Sequence, residues 1–149
     1  MMVDVESRSL LTGRKGLVVG MANEHSIAYG CARRFRDCGA ELAVTWINEK
    51  TRGYVEPLTR ELAAAITMPL DVDKPGEMEA VFDAIRGRWG RLDFLLHSIA
   101  FAAPQDLHGR VADTSRDGFA RAMDISCHSF IRMARLAEPL MENGGTLLT

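Results

Sequence analysis

The chain has 149 residues, which suits one domain built around a single buried core. Its formal net charge is -2, and its basic residues are scattered among acidic ones, so we expect no nucleic-acid partner. Residues 1–14 contain no continuous apolar run, which argues against a signal peptide or membrane span and makes the cytoplasm the expected location. The cysteines lack C-x-x-C spacing and are interpreted as buried free thiols. The dispersed histidines lack metal-ligand spacing, so we expect no metal.

Apolar runs alternate with longer stretches of helical periodicity along the whole chain. The apolar runs predict five strands, over 15–20, 40–46, 66–70, 92–98 and 146–149. The periodic stretches predict helices over 26–38 and 51–65, a third from Pro75 to Trp89, and a long one over 116–138. Residues 101–115 are expected to be irregular. Repeated β-α-β units predict an α/β fold, a Rossmann-like doubly wound parallel sheet of strand order 3-2-1-4-5, in a single dinucleotide-binding domain over 1–149.

The turn after the first strand predicts a phosphate site. Gly20 allows a sharp reversal and close approach of an anion, and Ala22 is nearly as small. The following helix begins at Ser26, where unpaired backbone N–H groups would meet a pyrophosphate. The alternative is an ordinary loop in which Ser26 only caps the helix.

Ligands of such sheets bind at the carboxyl ends of the strands, which directs attention to Ile47, Asp71 and Ser98 in addition to Gly20. Asp71 could accept a hydrogen bond from the amine of an adenine, or it could cap the turn into the third helix. The second strand ends without an acidic residue, so the residues alone leave NADH and NADPH open. His97 and Ser98 are neighbours on a strand and point to opposite faces, which argues against a nucleophile and base pair.

Four segments together resemble bacterial enoyl-acyl-carrier-protein reductases of the short-chain dehydrogenase superfamily: 20–28, 71–72, 97–101 and 124–130. The resemblance implies NAD(P)H-dependent reduction of trans-2-enoyl thioesters in fatty acid synthesis, with NADH as the favoured cofactor and an acyl-carrier-protein-linked substrate as the partner. It also implies a homotetramer.

The resemblance implies a role for each matching position. Gly20, Ser26 and Ile27 would hold the pyrophosphate, and Asp71 and Val72 would hold the adenine. Ala22, in the same turn as Gly20, and Ile47, just after the second strand, are further expected cofactor-binding residues. The remaining implied positions are Ser98, Ile99 and Ala100 at the ribose region, Ile125 on the nicotinamide side, and the backbone of Ala102 near the acyl substrate.

The resemblance also implies a catalytic tyrosine and lysine, which would follow the fifth strand. The tyrosines of this chain, Tyr29 and Tyr54, lie on the first two predicted helices, so no catalytic residue is assigned within the 149 residues. We therefore expect the domain to be incomplete at its carboxyl end and inactive by itself. Two alternatives are another short-chain reductase, of the ketoacyl type, and a non-catalytic nucleotide-binding module.

Overall fold

The computed structural model describes residues 10–149, so the expectation about a leader within the first nine residues lies outside the described part. The strands are β1 (Lys15–Val19), β2 (Glu41–Trp46), β3 (Ile66–Pro69), β4 (Phe94–His97) and β5 (Thr146–Leu148). The helices are α1 (Ile27–Asp37), α2 (Glu49–Glu61), α3 (Glu77–Trp89), α4 (Arg116–Met123) and α5 (Ser129–Ala137).

All strands pair in parallel in the order β3-β2-β1-β4-β5, which confirms the predicted topology. Alternate residues of β1 face opposite sides of the sheet. Leu17 packs in one core cluster with residues of α3 and α5, and Val18 packs in a second with residues of α1 and α2. Both faces of the sheet are therefore covered, and the carboxyl ends of β1 to β4 meet at one edge.

Two helix starts differ from the sequence prediction because local capping decides them. α2 begins earlier than predicted because the Asn48 side chain accepts a hydrogen bond from the Thr51 N–H at 3.1 Å. Pro75 was expected in the first turn of α3, but it precedes the helix. Gly76, with φ of +85°, is the N-cap instead.

The predicted long helix is an unbroken run of helical residues, but it is not uniform. Between α4 and α5 lies a π-helical segment, Asp124–His128, in which the backbone N–H of Ser129 reaches back five residues to the Asp124 carbonyl. Such segments occur often at functional sites. The expectation of buried thiols is wrong for Cys127, which is exposed in this segment, whereas Cys38 is buried.

Within residues 10–149, none of the helices has the length and apolar character needed to cross a membrane.

Candidate nucleotide-binding site

A cavity of about 250 Å³ opens at the carboxyl ends of the central strands. This is the edge where a doubly wound sheet binds its ligand. Every predicted cofactor residue lines it except Ser26 and Ile27. The full lining is Gly20, Met21, Ala22, Ile47, Leu70, Asp71, Val72, Asp73, Ser98, Ile99, Ala100, Phe101, Arg121 and Ile125.

Gly20 sits where β1 approaches the end of β4. Its φ is +95°, and a Cβ added there would overlap the carbonyl oxygen of Ser98. The Ser98 N–H donates to the Val19 carbonyl at 3.0 Å, which holds the two strand ends together. Glycine is therefore required by the packing of the protein itself, before any ligand is considered.

Ser26 caps α1, as the alternative interpretation of this turn expected. Its hydroxyl donates to the Asn23 carbonyl at 2.6 Å and accepts from the Tyr29 N–H at 3.4 Å. Capping leaves another donor unused: among the described residues, the backbone N–H of Ile27 has no acceptor. Ile27 is 78% exposed, so its N–H lies at an open helix start. The turn therefore combines a capped helix with a free anion donor.

Asp71 shows its capping role directly and also lines the cavity. Its Oδ1 accepts from the Asp73 N–H at 3.1 Å, and its own N–H donates to Glu77 Oε2 at 2.7 Å. These bonds fix the turn after β3. The carboxylate remains at the cavity wall, so the two roles weighed from the sequence are compatible.

Arg121 and Arg132, two arginines of the α4–α5 helix, bind this same turn, and sequence reasoning missed both. Arg132 Nη2 donates to the Val72 carbonyl at 2.8 Å, and Arg121 Nη2 pairs with Asp73 Oδ2 at 3.1 Å. Arg121 precedes Ile125 by four residues, so the two share a helix face. This four-residue spacing could have predicted Arg121 as a site residue from the sequence, because Ile125 was already assigned to the site.

The position of Ile125 follows from these contacts. Ile125 is buried and belongs to the same core cluster as Leu70 and Val72, which flank the end of β3. The resemblance implies that Ile125 lies on the nicotinamide side. The structure shows it in the cavity lining, on the helix that Arg121 and Arg132 join to the turn after β3.

His97 and Ser98 separate, as their strand positions predict. Ser98 lines the cavity, whereas His97 is 2% exposed and its Nε2 lies 2.7 Å from Ser129 Oγ on α5. Burial lowers the pKa of His97 below its usual 6.5, so the ring is neutral near pH 7. His97 is therefore a buried structural side chain next to the site.

The end of β2 offers no unpaired basic side chain to the cavity. Ile47 lines it and is 49% exposed. Arg52 instead pairs with Glu49 at 3.2 Å and Glu56 at 3.8 Å, and neither it nor Lys50 lines the cavity.

Besides Ser26 and Ile27, the predicted substrate residue Ala102 and the two tyrosines lie away from the cavity lining. Ala102 is half-buried just beyond Phe101. Tyr29 donates its hydroxyl to Glu61 Oε2 at 2.9 Å, and Tyr54 is 66% exposed on α2. Neither tyrosine can act on a ligand in the cavity.

Comparisons with known proteins agree on one family. The family model described as enoyl-(acyl carrier protein) reductase matches residues 20–149. Two relatives from Rhizobium meliloti (strain 1021) are named as enoyl-acyl-carrier-protein reductases that use NADH. The first is 47% identical to this chain over 140 residues, which cover 94% of it. The second is 43% identical over 144 residues, which cover 97% of it. The chain covers 52% and 53% of theirs, so it spans about half the length of the curated relatives it matches.

Solved structures give the same result. The reductase from Anaplasma phagocytophilum, in complex with NAD, superposes with a TM-score of 0.89 at 40% identity, over 93% of this chain and 53% of that one. The Bacillus cereus reductase, solved with NADP+ and indole naphthyridinone, superposes with a TM-score of 0.88 at 38% identity. The match covers 93% of this chain and 55% of that one. Sequence, fold and the position of the cavity together show that this chain belongs to the enoyl-acyl-carrier-protein reductase family.

Proposed function

We propose that this chain supplies the NADH-binding domain of an enzyme that reduces trans-2-enoyl thioesters carried on acyl carrier protein. The observation that carries the proposal is the cavity at the carboxyl ends of β1 to β4, lined by residues from every one of those strand ends. The named activity of the relatives, which this chain matches over about half their length, supplies the reaction.

The cavity suggests a direction for the dinucleotide. Its pyrophosphate would lie between Gly20 and the free N–H of Ile27 at the start of α1. Its adenine would lie at the β3 end, beside Asp71 and Val72. We assign Ile125 to this adenine side, because the helix that carries it is bonded to the turn after β3 through Arg121 and Arg132. Ser98, Ile99 and Ala100 then remain for the ribose region.

NADH would supply the hydride for the double bond. The residues of this chain bind and orient it: Gly20 lets the β1 end approach β4, and Asp71 fixes the turn at the adenine end. No tyrosine lines the cavity within the described residues, so the proton chemistry that the resemblance assigns to a tyrosine and lysine has no donor here. We therefore propose that the 149 residues by themselves bind the cofactor without reducing the thioester.

We propose NADH over NADPH. A 2′-phosphate would need an unpaired cation near the end of β2. Lys50 lies outside the cavity lining, Arg52 is paired with two glutamates, and Arg121, a basic residue in the lining, is paired with Asp73.

Ile27→Pro in the 149-residue protein tests the phosphate site. Ile27 is the first residue of α1 and follows Ser26 at ψ of 141°, so proline fits the helix start and removes only one N–H. We expect the Kd for NADH, measured by fluorescence titration, to rise about tenfold with thermal stability unchanged. Ile27→Ala keeps the N–H and should bind like the wild type. Unchanged NADH binding by Ile27→Pro would contradict this site.

A second experiment tests the reaction. Sequencing the coding DNA past Thr149 shows whether a tyrosine and lysine are encoded there, and the product of the whole reading frame is then assayed with crotonyl and acetoacetyl thioesters. We expect reduction of the crotonyl thioester with NADH. Reduction of only the ketone would favour a ketoacyl reductase, and NADH binding without either reaction would favour a non-catalytic module.

We also propose a homotetramer. Phe119, Met123 and Ile131 expose apolar side chains at multiples of four residues along the α4–α5 helix, a face that self-association would cover. Light scattering of the whole product would show a monomer if this is wrong.

We also propose that the protein lies in the cytoplasm, and cell fractionation tests this location.

A further inference from the structure

Arg121 reaches across the mouth of the cavity. Its guanidinium pairs with Asp73 Oδ2 at 3.1 Å, in the turn after β3, and its Cζ lies 4.9 Å from the centroid of the Phe101 ring, in the loop after β4. Arg121 and Phe101 both line the cavity. One side chain from α4 therefore joins the loop after β3 to the loop after β4 at the cavity wall.

The chemistry of this arrangement suits a flat aromatic ligand. A guanidinium is planar and stacks on π-systems, as Arg121 already does on Phe101. The Asp73 carboxylate fixes the orientation of the Arg121 guanidinium and offsets its charge. The guanidinium therefore offers a ligand a planar surface to stack on, while its positive charge is already paired. Ile125, one helical turn further on, adds an apolar surface beside it.

The turn that carries Asp71 is fixed to the same helix. Arg132 Nη2 donates to the Val72 carbonyl at 2.8 Å, so the helix bearing Arg121 and the turn bearing Asp71 are held together. One wall of the cavity then offers a carboxylate to a base amine, and another offers a planar cation to the base ring.

We propose that Arg121 is a specificity-determining residue on which the adenine ring of the cofactor stacks, while Asp71 accepts from the exocyclic amine of that ring. This inference rests on the proposed function. The two residues would recognise different parts of the base: Asp71 would accept a hydrogen bond from the amine, and Arg121 would stack against the ring.

The test compares Arg121→Ala and Arg121→Lys in the 149-residue protein, with Arg116→Ala, an exposed arginine on the same helix, as the matched control. Lysine keeps the charge that pairs with Asp73 but lacks the planar surface. We expect both Arg121 variants to raise the Kd for NADH about five- to tenfold and the control to leave it unchanged. Circular dichroism verifies that each variant is folded.

Two ligand analogues sharpen the result. Reduced nicotinamide hypoxanthine dinucleotide keeps a purine ring but lacks the amine, so Arg121→Ala should weaken it as much as NADH. Equal loss of NADH and NADPH supports stacking. A loss confined to NADPH would mean that Arg121 binds the 2′-phosphate, and wild-type affinity in Arg121→Lys would mean that it acts through charge. Either result overturns the proposal.

The outcomes also separate this inference from the proposed function. If the wild type binds NADH and the Arg121 variants bind equally well, the inference fails and the proposed function stands. If the wild type binds neither NADH nor NADPH, both fail.

Discussion

His97 on β4 and Ser129 on α5 form a buried hydrogen bond of 2.7 Å, and this bond determines which nitrogen of the neutral ring carries the hydrogen. The Ser129 hydroxyl has one hydrogen, which it donates to the Ile125 carbonyl at 2.6 Å. Ser129 Oγ must therefore accept from His97 Nε2–H. Nδ1 is then free to accept from Thr149 Oγ1, 3.3 Å away. The Ile125 carbonyl belongs to the π segment. The side chains of His97 and Ser129 therefore link strand β4 to this segment through two hydrogen bonds.

Ser129→Ala should destabilise the protein substantially. The substitution leaves the His97 Nε2–H buried without its partner, which costs about 1–3 kcal/mol, and it also removes the hydrogen bond to the Ile125 carbonyl. We expect the free energy of unfolding in urea to fall by about 2–4 kcal/mol. Ser126→Ala is the control, because its hydroxyl bonds the Phe101 backbone at an exposed position. Equal losses in the two variants would contradict the buried linkage.

The lowered pKa of His97 predicts a pH dependence of stability. Burial keeps the folded pKa below the unfolded value of 6.5, so between these two values the unfolded state binds more protons. The His97 contribution is complete above pH 6.5 and is lost as pH falls toward the folded pKa. We expect the free energy of unfolding to fall by at most about 1.4 kcal/mol per pH unit in this window. His97→Gln, which keeps an N–H donor, should lack this part of the slope, and identical slopes would disprove the assignment.

The sequence predicted the sheet order and the position of the cavity because both depend on local patterns. Apolar runs identify the strands, and the cavity follows from where β1 to β4 end. The sequence analysis expected Gly20 to allow a sharp reversal, which its φ of +95° confirms, and the structure gives a further reason for glycine there, the closeness of the Ser98 carbonyl.

The missed features depend on contacts between distant residues or on single caps. The π segment is held by His97 and Ser129, which are 32 residues apart, so helical periodicity does not reveal it. Arg121 joins Asp73, 48 residues away, to the helix. The start of α2 depends on the one side chain of Asn48. Pattern reasoning finds elements, but these interactions become visible only when the elements are packed.

Asp71→Asn separates ligand binding from stability. Asparagine keeps an oxygen that can accept from the Asp73 N–H, so the turn after β3 should persist and the melting temperature should not change. The loss of charge weakens the proposed bond to the adenine amine by about 1 kcal/mol, and the Kd for NADH should rise about fivefold in a fluorescence titration. The hypoxanthine dinucleotide lacks that amine and provides the control. An equal loss for both ligands would show that Asp71 does not read the amine.

Gly20→Ala should destabilise the protein even without a cofactor. Alanine at φ of +95° is strained by about 1–3 kcal/mol, and its Cβ would overlap the Ser98 carbonyl oxygen, so the ends of β1 and β4 must move apart. Gly30→Ala is the matched control: Gly30 is exposed in α1 with nothing within 4 Å of an added Cβ. Because alanine favours a helix over glycine, that variant should gain about 0.5–1 kcal/mol. Urea unfolding of the two variants should therefore shift in opposite directions. A wild-type midpoint for Gly20→Ala would mean that the β1 turn accepts a side chain, and that the close approach of β1 to β4 does not require glycine.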